Sequence, residues 1–394
     1  MRSGDHPASG VGLAGTSLLI RRPVGFWARS VASTIAELAA TVTEGLAFGH
    51  AFGLRIGDTR IDVRTNNGPL SAELLDYFGP WATDPDEDPH LTIRAAVREP
   101  PTLDLAYRDW RGESGEGVKE SFANVEDGRV LRKVRSGLQF LLGDRLGVVF
   151  GPDLGTRQVV RFINLQYESW CMAHGSVLCH AAGVTRPGGG VAIAARSGAG
   201  KSTTALRVMS ADEQMAFVSN DRLLLNRTPG GSVVMRGVPK HPRINPGTAL
   251  NNSDLADVLP FERREILEVM ERDELWELDE KHEVRIDRIY GRHRMSSEAA
   301  LRALFLLTWS HKNQGPVQIA ETDLREHQDL LGPLMKPHGP YHLPCDGPPR
   351  TGTEPPEPGP YLDVLDGIPT FLVAGGLDFE RAVSEVREFT DRFD

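Results

Sequence analysis

One segment, Ala195-Arg196-Ser197-Gly198-Ala199-Gly200-Lys201-Ser202, constrains this chain more than any other. An apolar run, Val191 to Ala195, leads into it, and Ser202-Thr203-Thr204-Ala205-Leu206 leads out with helical character. Strand, glycine-rich turn and helix is the order that makes backbone N–H groups and a helix N-terminus converge on a phosphate. Gly198 and Gly200 let the loop turn without a Cβ clash. Lys201 is placed to follow the charge to the β- and γ-phosphates, and the Ser202 hydroxyl suits Mg²⁺. Ser197, Ala199 and Thr203 complete the expected nucleotide contacts. The pattern departs once from G-x-x-x-x-G-K-[ST], because Ala195 stands where the first glycine is usual. The expectation is an α/β fold with a mixed sheet around a P-loop (Walker A) site for ATP and Mg²⁺.

The chain has 394 residues, enough for one large domain with a smaller one added. A flexible N-terminus is expected over 1–20, a smaller α+β domain over 21–155, and the P-loop catalytic domain over 156–394. The net charge of −10, from 44 basic and 54 acidic residues, gives nucleic acid no leading role. No stretch approaches the roughly 18 consecutive apolar residues of a membrane span. The apolar patch near the start is short, broken by glycine and followed rather than led by its basic pair, so a cleaved signal peptide is not expected. Cys171, Cys179 and Cys345 are too scattered for a disulfide framework or zinc site and fit thiols in a reducing cytoplasm.

Along the chain, 26–48 has helical apolar spacing at Val31, Ile35, Leu38, Ala39 and Val42. A strand pair turning at Gly57-Asp58, a short helix in SAELLDYF and several hairpin strands follow. TRQVVRFINLQYESWCMA predicts a helix over 156–173, with Val160, Ile163, Tyr167 and Trp170 on one side. SVLCHAAGVTR and HEVRIDRIYG each read as a strand, and AFVSNDRLLLNR as a strand with a polar break in its middle. A charged helical region is expected from about 254 to 282. The Pro/Gly-rich run 336–360 reads as a linker or lid-like loop with too few apolar residues to pack. There is no internal repeat.

Phosphoryl transfer also needs an acid to hold metal or take the acceptor's proton. Asp221 interrupts an apolar strand, which is costly unless the carboxylate is paired or functional. It is the candidate base and a candidate metal ligand together with Ser202. Asn220 beside it is a candidate for positioning metal or water. His180, at the end of VLCH, is a candidate to polarise the acid across neighbouring strands, against the structural role that a lone histidine more often has. Lys240 and Arg243, in the loop VPKHPRINPG, are candidates to cover the substrate; a solvated basic loop is the equal alternative.

The His180 strand, ARSGAGKST, SNDRLLL and GVPKHPRINPGT together resemble the catalytic domain of HPr kinase/phosphorylase. The resemblance is nearest to the HprK-related kinase B group, adding FINLQYESW, HAAGV, LWELDEKHEV and IYG and covering most of 45–330. The likeness to true HPr kinases spans about 175–250. It implies ATP and Mg²⁺ at Lys201 and Ser202, and it maps the family's upstream histidine onto His180. Where the family usually carries Asp-Asp, this chain has Asn220-Asp221. The group is associated with a gene neighbourhood encoding an ATP-grasp enzyme and a small amphipathic protein, which implies a neighbour-made protein or small-molecule acceptor. The function expected is a kinase moving the ATP γ-phosphoryl to a hydroxyl of a protein Ser/Thr or a small molecule. The alternative is a non-catalytic ATP-binding regulator, favoured by Asn220. A phosphoenolpyruvate carboxykinase-like enzyme would need further metal-binding clusters that the sequence does not clearly show. A homo-oligomer is left open.

Overall fold

The structure is a computed structural model that describes residues 33–110, 118–278, 280–343 and 355–393. The expected flexible segment 1–20 lies outside the described residues, as do Cys345 and the middle of the Pro/Gly-rich run. No helix among the described residues is long and apolar enough to cross a membrane.

Helix α1 (Ile35–Thr43) starts where Thr34 and Glu37 form a reciprocal capping box. The 26–48 periodicity thus yields a described helix of only nine residues. A nine-stranded sheet follows, built from β1 (His50–Ile56), β2 (Thr59–Thr65), β3 (Ala82–Thr83), β4 (Leu91–Val97), β5 (Arg108–Trp110), β6 (Glu120–Val125), β7 (Gly128–Lys133), β8 (Gln139–Gly143) and β9 (Leu146–Gly151). Its order is β3-β1-β2-β4-β9-β8-β7-β6-β5, with β4 parallel to both neighbours and the other pairs antiparallel. Alternation along β9 divides its side chains between two cores, since Val148 and Phe150 pack with α1 while Val149 packs on the opposite face. That opposite face is covered by α2 (Gly68–Phe78) and α3 (Thr156–Ala173).

The second sheet is mixed. It contains β10 (Val177–Cys179), β11 (Ala181–Arg186), β12 (Gly189–Ala195), β13 (Ala216–Ser219), β14 (Leu223–Arg227) and β15 (Val233–Gly237). A separate two-strand ladder, β16 (Arg243–Ile244) with β17 (His282–Glu283), precedes β18 (Glu298–Leu307), β19 (Gln318–Glu321) and β20 (Thr370–Ala374) of the main sheet. The central strands β12, β18 and β20 run parallel. Every residue of β12 is buried, as a strand covered on both faces requires. On one side lie α4 (Lys201–Ala211) and, later in the chain, α9 (Phe379–Thr390); on the other lies α8 (Pro358–Leu365). Between β16 and β17 the chain forms α5 (Pro246–Leu250), α6 (Phe261–Glu268) and α7 (Arg272–Glu277). The core over α3 is continuous between the sheets, joining Phe140, Phe162 and Ile93 to Leu178, Leu224 and Val238.

Four readings need correction. SVLCHAAGVTR is not one strand, because the chain changes partners at His180: β10 pairs with β14, whereas β11 pairs with β12 and β13. AFVSNDRLLLNR, expected as one strand with a polar break, is two strands separated at that break by a turn at Asn220–Arg222. HEVRIDRIYG is a strand only at its first two residues. Beyond them Arg285 clasps Asp287 and Asp76, and the chain coils so that Ile286 and Tyr290, four apart, both reach the core. Finally, the start of the Pro/Gly-rich run packs, since Tyr341 is buried against Phe140 and Leu138 belongs to the same core, and its end enters α8. The charged region 254–282 is helical, as a series of short helices.

Candidate active site

Three interruptions fall at the same end of the second sheet. Ala181 pairs with Ala194, so the end of β12 at Ala195 lies beside His180. Cys179 pairs with Leu223 and Gly183 with Ser219, so His180 sits across from the Asn220–Arg222 turn. A fourth segment joins them, because Met335 bridges Cys179 and the His180 N–H donates to the Leu334 carbonyl at 2.7 Å. Breaks in neighbouring strands at the carboxyl edge of a parallel core leave a crevice for ligand. Here the cleft is about 640 Å³ and is lined by His180, Arg196–Gly198, Gly200–Thr203, Asn220, Asp221, Lys240 and Arg243, among others.

The glycine-rich loop Arg196–Gly200 opens directly into α4. Gly198 and Gly200 both have positive φ, 81° and 92°. At Gly200 a Cβ would meet the Phe379 ring at 2.6 Å, so glycine is required there twice over. The Trp309 indole N–H donates to the Ala199 carbonyl at 2.8 Å and fixes the loop from the end of β18. Lys201 is 7% exposed. Burial pulls its pKa down to about 8, offset in part by the charge of Asp221 and deepened by Lys336 and Lys240. Among the described residues no carboxylate comes within ion-pair distance of its ammonium. A buried cation so placed fits an anionic ligand.

Asp221 is the one non-glycine residue with positive φ among the described residues, at 68°. Asp tolerates the left-handed region better than most residues, and the strain is on the order of 1 kcal/mol. The turn is pinned on both sides. The Ser219 hydroxyl bonds the Arg222 carbonyl and accepts from the Val238 N–H, and Arg222 pairs with Glu168 of α3. Burial pushes the Glu168 carboxyl above its ordinary value, and the Arg222 guanidinium offsets only part of that rise. One turn earlier on the same face of α3, Asn164 donates to the Pro239 carbonyl at 2.9 Å and holds the loop that carries Lys240.

Two lysines and a histidine converge on the Asp221 carboxylate. His180 Nε2 and Lys336 Nζ each lie 3.2 Å from Oδ1, and Lys240 Nζ lies 3.6 Å from Oδ2. Burial alone would raise this carboxyl, but the His180 hydrogen bond and the charges of Lys336, Lys240 and Lys201 hold it far below the usual carboxylate range. The Ser202 hydroxyl donates to Asn220 Oδ1 at 2.9 Å. Among the described residues no group of three or more His, Cys, Asp and Glu side chains is arranged to hold a metal. Two hard oxygens, from Ser202 and Asn220, stand side by side at the cleft, which fits Mg²⁺ bound mainly through phosphate and water. Asp221, ringed by cations, does not fit a direct ligand role.

Of the residues singled out from the sequence, His180, Asn220, Asp221, Lys240, Lys201 and Ser202 come together. Thr203 shares a 2.7 Å hydrogen bond with Thr248 of α5. Arg243 is exposed at the rim and donates to the Lys281 carbonyl at 3.3 Å rather than joining Asp221. Lys336, Trp309 and the α3 pair Asn164 and Glu168 were missed. Asn164 and Glu168 left a signal, being polar residues at i and i+4 on an otherwise apolar helix face. Lys336 left none, being 115 residues from Asp221.

Comparison with known proteins adds little. No protein-family profile matches the chain, and no curated protein does. The HPr(Ser) kinase/phosphatase from Coxiella burnetii is a similar solved structure, at 10% identity and a TM-score of 0.28 over 55% of this chain and 88% of that one. A likeness of that size carries no argument about chemistry, which rests on the geometry above.

Proposed function

We propose that this protein is an ATP-dependent kinase that transfers the γ-phosphoryl group to a hydroxyl, using the 156–394 unit as its catalytic domain. The observation that carries this reading is Asp221: an ionised, left-handed carboxylate held by His180, Lys240 and Lys336 at the mouth of a cleft whose other wall is a glycine-rich loop and a buried lysine. Loop amides and Lys201 receive the β- and γ-phosphates. Ser202 and Asn220 are the residues to hold Mg²⁺, which when bound supplies charge neutralisation at those phosphates. Asp221 orients the acceptor hydroxyl and takes its proton as the acceptor oxygen bonds to phosphorus and the bond to ADP breaks. ADP leaves with the bonding pair. The residue pattern resembling HPr-kinase-related proteins, and the kinase B group in particular, supports the same assignment. A Ser/Thr of a neighbour-encoded protein and a small-molecule alcohol both satisfy this chemistry.

One observation favours a second reading, a nucleotide-binding regulator: the residue on the Ser202 hydroxyl is the neutral amide Asn220, not an acid. Incubating the protein with γ-labelled ATP and cell lysate separates the two. Label appearing in a protein or metabolite, and lost with Lys201→Ala, supports the kinase. ATP bound by the wild type without transfer or hydrolysis supports the regulator and ends the kinase reading.

A further inference from the structure

We propose that Lys336 is a positioning residue for Asp221, and that the first sheet sets its place through the segment 333–343. This inference rests on the kinase reading. Asp221 offers two oxygens with different surroundings. Oδ1 is taken by His180 and Lys336, while Oδ2 meets Lys240 alone; His180 and Lys240 both line the cleft. The Lys336 side chain is only 17% exposed. It directly follows Met335, which bridges Cys179 and packs against the core on that side of the second sheet. The same segment fixes His180, whose Nδ1 faces the Pro333 carbonyl at 3.2 Å and whose N–H donates to Leu334. Both groups on Oδ1 are therefore carried or held by one stretch of chain. With Oδ1 pinned, Oδ2 is the oxygen left to meet an acceptor hydroxyl.

The far end of that stretch is tied to the first sheet. Arg129 of β7, fully buried over the Phe122 ring, donates to the Pro340 carbonyl at 2.6 Å. The Tyr341 hydroxyl donates to Glu120 of β6 at 2.8 Å, and its ring packs on Phe140 of β8. A guanidinium at zero exposure is costly to bury, and it spends a hydrogen bond on a backbone carbonyl of this segment. Pro340 is only four positions after Lys336, so these anchors limit where the ammonium can sit. The first sheet thereby acquires a task at a site to which, among the described residues, it contributes no side chain paired with Asp221.

The test measures loss of label from γ-labelled ATP with lysate as acceptor source, alongside nucleotide affinity. Lys336→Met is expected to lower kcat by about a hundredfold, as for a misplaced reacting group, with the KM for ATP and the affinity for MgADP unchanged. Lys336→Arg is expected to recover most of that loss. Tyr341→Phe is expected to lower kcat several-fold in the wild type and to add nothing in the Lys336→Met background, because both act through the same ammonium. Melting curves of each variant check folding, and Lys336→Arg keeps the test alive if Lys336→Met unfolds. Wild-type turnover that survives unchanged in Lys336→Met, or additive losses for the two sites, overturns this inference alone. A wild type that binds ATP but never turns it over sinks the kinase reading and this inference with it.

Discussion

Replacing Asp221 with asparagine isolates its charge. Asn keeps the shape and shares the tolerance of the left-handed backbone, so the turn at φ 68° is retained. What disappears is the negative charge that pairs with Lys336 and Lys240 and meets His180. At such distances a Coulomb interaction reaches about 4 kcal/mol per pair in a medium of intermediate dielectric. The carboxylate is 34% exposed, so solvent screening reduces the net loss of stability to about 1–2 kcal/mol. Because the folded-state carboxyl lies below its ordinary value of 3.8, this stability is present above the unfolded value and is lost as pH falls through the folded one. The melting temperature at pH 7 should therefore drop by about 2–8 °C, and the difference from wild type should shrink in strong acid. Turnover should fall by about 10²- to 10⁴-fold, the usual size of general-base loss, or about 3–5 kcal/mol of barrier. MgADP affinity should hold or rise, since the cleft becomes more positive. Calorimetric titration with MgADP, thermal melting and label loss from γ-labelled ATP read the three quantities on one preparation. Turnover within a few-fold of wild type, or affinity falling in step with rate, refutes the base assignment.

Other outcomes follow from the same geometry. Lys201→Ala should abolish measurable ATP binding in calorimetry, because the buried ammonium is the main side-chain charge at the loop. With its free-state pKa near 8, ATP affinity should be flat below pH 8 and fall by about tenfold per pH unit above it, since the anion needs the charged form; flat affinity to pH 9.5 contradicts this. Gly200→Ala forces a Cβ to 2.6 Å from the Phe379 ring at a φ of 92°, and should weaken nucleotide binding at least tenfold while lowering the melting temperature. Trp309→Phe removes the donor to Ala199 and should cost about 1 kcal/mol in chemical denaturation.

The glycine-rich loop was legible because its requirements are local: two positive-φ glycines, a buried strand before them and a helix after. His180, Asn220 and Asp221 were legible as chemistry-bearing interruptions in apolar runs, and Lys240 as a cation in a Pro-flanked loop. Their meeting point was not, because it depends on where strands change partners, and pairing is a non-local property. Reading SVLCHAAGVTR as a single strand, and the polar break in AFVSNDRLLLNR as lying within one strand, hid the change of partners that brings His180 and Asp221 together. Arg243 looked equivalent to Lys240 in sequence, yet three residues along a loop carried it to the rim. The Pro/Gly-rich run misled most. Its composition argues against a packed element, but Tyr341 supplies enough apolar surface to anchor it on Phe140, and Lys336 rides with that anchor. The short ladder and coil after His282 replaced an expected strand because two aspartates hold Arg285.

The most direct test of the central claim follows nucleotide and label together in wild type and Asp221→Asn. Each protein is incubated with MgATP labelled at the γ-phosphate in the presence of lysate, and bound nucleotide and label remaining in ATP are measured over time. The account predicts that both proteins bind ATP and that only the wild type moves the label to an acceptor. Wild type that holds ATP with its label intact, or Asp221→Asn that transfers as fast as wild type, contradicts it.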